Sequence, residues 1–82
     1  MESLQYVLDT ICARVTAESV CGMIESRLKI GAFTAEDIVP QIQAEDRSLD
    51  PGSAKRIVLA ALEELAPRGK FKLNGDKVVP DK

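Results

Sequence analysis

Near the C-terminus, Lys70-Phe71-Lys72-Leu73-Asn74-Gly75-Asp76-Lys77-Val78-Val79 alternates apolar and basic residues around an Asn-Gly pair. This is the strongest short-range signal for a β-hairpin, because a type I′ turn needs positive φ at both central residues. A turn at Asn74-Gly75 pairs Leu73 with Asp76, Lys72 with Lys77 and Phe71 with Val78. Phe71, Leu73 and Val78 then face the body of the protein, while Lys70, Lys72 and Lys77 face water. Pro80 closes the second strand, and Asp81-Lys82 are expected to fray.

Most of the chain before the hairpin has helical period. Ser3 precedes Leu4, Val7, Leu8, Ile11, Cys12 and Val15, which form one stripe, so an amphipathic helix is expected over 3–15 with Ser3 as N-cap. The phase breaks near Thr16. Apolar residues resume at Val20, Met23, Ile24 and Leu28, which predicts a second helix over 17–30, capped by Thr16 and stopped by Gly31, with Glu25 and Lys29 as an i,i+4 pair. One long bent helix through Gly22 is the alternative reading. Phe33 lies in a short extended piece, and Thr34 with Asp37 has capping-box spacing. The short helix that follows turns Ile38, Val39 and Ile42 inward. Pro40 lies beyond its first turn, so this helix is expected to be kinked or split. A polar turn leads to Asp50-Pro51-Gly52-Ser53, where Asp50 or Ser53 caps a longer helix, about 52–66, with Ala54, Ile57, Val58, Ala61, Leu62 and Leu65 on one face. Pro67 and Gly69 end it. The fold class expected is mainly α with a small β-hairpin (α+β).

At 82 residues, 45% of them hydrophobic, the chain makes one domain. A domain this small buries about 60–65% of its unfolded surface, so dimerisation is a natural supplement. With no His, a Ser-His triad, a His acid/base pair and nearly every zinc site are excluded. Glu36-Asp37, Glu45-Asp46 and Glu63-Glu64 read as solvated faces, since sequence neighbours on a helix point in different directions. No Gly-rich phosphate loop occurs. Neither catalytic residues, nor a metal, nor a cofactor is expected, and the chain is not read as an enzyme. Cys12 and Cys21 read as two small buried hydrophobes in a reducing compartment. The start, MESLQYVLDT, lacks a basic n-region, and no apolar run approaches the roughly 18–20 residues that span a bilayer. A cytoplasmic protein without a membrane partner is the expectation.

The order from residue 17 onward is helix, short extended piece, short helix, polar turn, longer helix and tight hairpin. With the local residues FTAEDI, SAKRIVLAALEELAPRGKFKL and NGDKVV, it resembles the winged-helix (winged helix-turn-helix) superfamily. The resemblance covers roughly 17–80, with the wing at 70–79 and helix 3–15 as an extra N-terminal element. It implies that helix 53–66 contacts the major groove of duplex DNA and that the wing contacts the minor groove or phosphates. By position, Ser53 would hold a phosphate, Arg56 would read a guanine edge beside Lys55, and Lys70, Lys72 and Lys77 would meet the backbone.

Charge distribution bears on that implication. The formal net charge is −2, yet it is segregated. Residues 51–82 carry seven cations against four anions, a net of +3, and residues 1–50 carry four against nine, a net of −5. Lys55 and Arg56 are either DNA contacts or an ordinary solvated pair. The lysine row either meets phosphates or keeps the wing from pairing with another sheet edge. The exposed stripe of helix 53–66 continues through Leu59 and Ala60 to Glu63, which suits phosphate poorly.

Two functions therefore stand. The first is a small winged-helix DNA-binding protein, a transcriptional or accessory regulator. The alternative is a winged-helix protein-interaction module that binds a partner through its acidic N-terminal half or through a surface at Leu59 and Ala60. Tyr6 either packs on the core or sits at a subunit contact. The apolar stripe of helix 3–15 either packs on its own protomer or makes a homodimer.

Overall fold

A computed structural model describes residues 3–69, 71–74 and 77–80. Over these the protein is α+β and mainly helical: α1 (Leu4–Ile11), α2 (Ala17–Ile30), β1 (Phe33–Thr34), α3 (Ala35–Glu45), α4 (Pro51–Leu65), a 3₁₀ turn (Ala66–Arg68), β2 (Phe71–Asn74) and β3 (Lys77–Pro80). The central element is α4. It packs against α1, α2 and α3, and Ala54, Ile57, Val58, Ala60, Ala61, Leu62 and Leu65 are all buried along it.

Local chemistry starts each helix. The Ser3 hydroxyl accepts the Tyr6 N–H and the Thr16 hydroxyl accepts the Ser19 N–H, each at 3.1 Å. Asp37 closes back on the Thr34 N–H at 2.9 Å. Asp50 caps α4, with Pro51 in the first turn where its missing N–H costs nothing.

The first helix is shorter than its periodicity predicts. Cys12 takes a left-handed conformation (φ 59°), and the Cys12 and Ala13 N–H groups bond back to the Asp9 and Leu8 carbonyls. This Schellman-type stop ends α1 at Ile11, so residues 3–30 form two helices rather than one bent helix. Val15 remains buried, but from the connecting segment. Cys12 is exposed and Cys21 half-buried, and both are free thiols, so only Cys21 approaches the buried role expected of the two. Burial, then the nearby Glu64 and Glu25 carboxylates, pushes the Cys21 thiol above its ordinary pKa.

The apolar stripe of α1 belongs to its own protomer. Leu4, Val7 and Leu8 are buried, and the Leu4 N–H donates to Glu64 Oε1 on α4 at 2.9 Å. These three side chains are covered within one protomer. Tyr6 lies on its outer side, 56% exposed, and so does not pack on the core.

At the other end of α2, Gly31 has φ 150° and ψ −160°, a region open essentially to glycine alone. It turns the chain into β1. The next helix, α3, is one continuous helix with Pro40 inside it, not two short pieces. Its inward residues Ile38, Val39 and Ile42 hold it together by burial. Asp46, expected on a solvated face, is 3% exposed. Its carboxylate accepts the Arg14 and Ser48 backbone N–H groups.

The three strands form an antiparallel sheet in the order β1-β3-β2. Asn74 pairs with Lys77, Leu73 with Val78 and Phe71 with Pro80, so the two connecting residues are Gly75 and Asp76, which lie outside the described residues. The expected register is off by two. A two-residue shift preserves which side each residue faces, so Phe71, Leu73 and Val78 still point inward. In the observed register Val78, on the central strand, sits between Phe33 on one side and Leu73 on the other, an apolar row across all three strands.

Candidate functional site

Three of the residues expected to contact DNA lie on the first turns of α4. Ser53 is committed locally, since its hydroxyl donates to Asp50 Oδ1 at 2.7 Å and its N–H to Asp50 Oδ2 at 3.3 Å. Those two bonds, the hydroxyl first, hold the Asp50 carboxyl below the usual carboxylate range. The start of α4 therefore already carries an anion where a phosphate would sit. Lys55 approaches Glu36 Oε1 of α3, Nζ to oxygen 3.5 Å. Arg56 is exposed on the outer side of the helix.

Lys72 and Lys77 are exposed on the outward face of the sheet, in register with Val79 and with Asn74 and Thr34 respectively. The two lysines are therefore diagonal neighbours rather than directly paired. Lys70 lies outside the described residues.

The expected partner surface splits. Ala60 is 5% exposed, because the buried arc of α4 extends around to it, and it cannot take part in a surface patch. Leu59 is 45% exposed, and Leu73, at the far end of β2, is 47% exposed. Both line one cleft of about 340 Å³ together with Leu62, Ala35, Glu36, Lys55 and Glu63. Leu73 points to the inner face, as its alternation predicts. Near the hairpin end, however, that face leaves Leu73 half exposed, lining the cleft with Leu59 and Leu62 of α4.

The cleft thus has leucines on its floor and a rim of Glu36, Glu63 and Lys55. Glu36 owes its place to the first turn of α3, where Asp37 closes the cap on Thr34 and also lies 3.7 Å from Arg27 Nη2 of α2. Neither Glu36 nor Leu73 was legible as a site residue, because nothing local marks residues 14 to 37 positions apart as neighbours. The one available signal was Leu59 itself, a leucine on the polar side of an otherwise regular stripe.

Chemically, this arrangement suits non-covalent capture. No three His, Cys, Asp or Glu side chains come together as a metal site among the described residues. Nor is any helix among them long and apolar enough to cross a membrane. Comparison of the chain with protein-family models, with curated proteins and with solved structures found no match.

Proposed function

We propose that this chain is a protein-interaction module of winged-helix build, which docks a protein partner on the cleft between α3, α4 and β2. Supporting the build are the element order and the placement of a short first strand beside the C-terminal hairpin. One observation carries the function. Leu59 and Leu73, each about half exposed, converge on a single cleft on the exposed side of the helix that the family uses to read DNA. Covering the exposed half of each side chain contributes about 1 kcal/mol, enough for the pair to anchor a partner but not to act alone.

The test is a pull-down with the wild-type chain and two variants. The partner is lost on Leu59→Lys and retained on Lys72→Glu; the opposite pattern overturns this reading.

A second reading, duplex DNA binding by a regulator, is favoured by the exposure of Lys72 and Lys77 on the hairpin. Replacement of four or five counterions per protomer gives a log–log salt slope of about −4. Fluorescence anisotropy with duplex DNA at low salt checks it, and no binding at high micromolar protein removes it.

A further inference from the structure

The cleft does not end at its rim. On the far side of Glu36 and Lys55 is a second recess, also of about 340 Å³, walled by Val39, Pro40, Pro51 and Gly52. Both recesses have Glu36 and Lys55 in their linings, so the 3.5 Å contact between these side chains stands between them as a divider. The two halves form one groove along α4, lined on its other side by α3.

We propose, resting on the protein-interaction reading above, that this groove takes one basic amphipathic helix from another protein. Spacing argues for a helix. The α4 residues that line the two recesses centre near positions 53 and 60, and seven residues at 1.5 Å each is about 10.5 Å along the axis. Positions i and i+7 of a docked helix have that separation on one face. A strand, rising about 3.3 Å per residue with side chains alternating, puts same-face residues at about 7 or 13 Å and misses it.

Charge argues for a basic partner. The rim holds Glu36 and Glu63 against Lys55 alone, and the dividing pair is open to water, with the Glu36 side chain 77% exposed. Such a pair exchanges readily. A lysine or arginine between the two anchors takes the Glu36 carboxylate, and Lys55 swings out to solvent.

No helix of a second copy fully exposes two large apolar side chains among the described residues, so the helix is assigned to another protein. The large apolar side chains exposed among the described residues are Tyr6, Ile30, Leu59, Leu73 and Val79, and no two of them share a helix.

The experiment is selection of phage-displayed random 16-residue peptides on the full chain, followed by titration of the selected peptides against three variants. The expected consensus has apolar residues seven apart with Lys or Arg between them. Binding falls at least tenfold on Leu59→Lys, on Pro40→Lys and on Glu36→Lys. Pro40→Lys restores a backbone N–H inside α3, so the fold is retained, which far-UV circular dichroism checks. Two results overturn the helix proposal while leaving the interaction reading intact: a Leu59-dependent consensus with a single apolar position or with acidic residues, or full binding on Pro40→Lys. Failure to recover any Leu59-dependent peptide overturns both.

Discussion

The Asp46 carboxylate accepts the Arg14 backbone N–H at 2.9 Å across 32 residues of sequence, while its other oxygen accepts the Ser48 N–H and hydroxyl. One buried anion thereby joins the α1–α2 connection to the α3–α4 loop. Every donor it meets comes from an irregular segment whose backbone would otherwise lack partners.

That arrangement makes stability depend on acid. The Ser48 hydroxyl, followed by the Arg14 N–H, holds the Asp46 carboxyl below its ordinary value. A depressed carboxylate contributes stability above its unfolded value, near pH 4, and the contribution disappears as pH falls through the folded value. Asp46→Asn should lower the thermal midpoint at pH 7 and flatten the pH dependence of stability below pH 4. Equal midpoints across that range would refute the assignment.

Gly31 and Gly22 should respond oppositely to the same change. At Gly31 an added Cβ meets nothing within 4 Å, so the cost of Gly31→Ala is its backbone conformation alone, about 1–3 kcal/mol. Gly22 lies inside α2, again with open space around a Cβ, and Gly22→Ala should stabilise by about 0.5–1 kcal/mol. Urea unfolding of the two variants measures both signs.

Cys12 pays for its positive φ with a side chain that disfavours it. Replacing it with glycine keeps the two closing hydrogen bonds of α1 and relieves the strain, giving a net gain of about 0.5–1 kcal/mol after the added freedom of the unfolded chain. Chemical denaturation of Cys12→Gly under reducing conditions is the measurement, and a loss of stability would contradict the stop described for α1.

Pro40 carries a comparable cost within α3, where it removes the donor that would meet the Glu36 carbonyl. Pro40→Ala is expected to raise stability by about 1–3 kcal/mol, read as a higher urea midpoint with an unchanged slope. If the variant is less stable, Pro40 contributes packing that outweighs its missing hydrogen bond.

Much of the fold was legible because the forces involved are local. Ser3, Thr16 and Asp50 each accept a backbone N–H three residues on, and Asp37 closes on Thr34 at the same spacing. The inward residues of α2, α3 and α4 follow helical period, and Phe71 and Val78 follow strand period. These relationships lie within one turn or one pleat, so residue order determines them.

Tertiary packing decided the rest. The Asn-Gly signal predicts Phe71 opposite Val78, whereas the sheet pairs Leu73 with Val78 and Phe71 with Pro80, a register reached only when β3 lies between β1 and β2. Ala60 lies at the margin of its stripe, and its burial follows from how far the neighbours of α4 wrap around it. The candidate site is the extreme case: Glu36 meets Lys55 and Leu59 shares a cleft with Leu73 only after α3, α4 and the sheet have closed on one core. Such contacts form once loop closure brings distant segments together, and no periodicity in the chain records them.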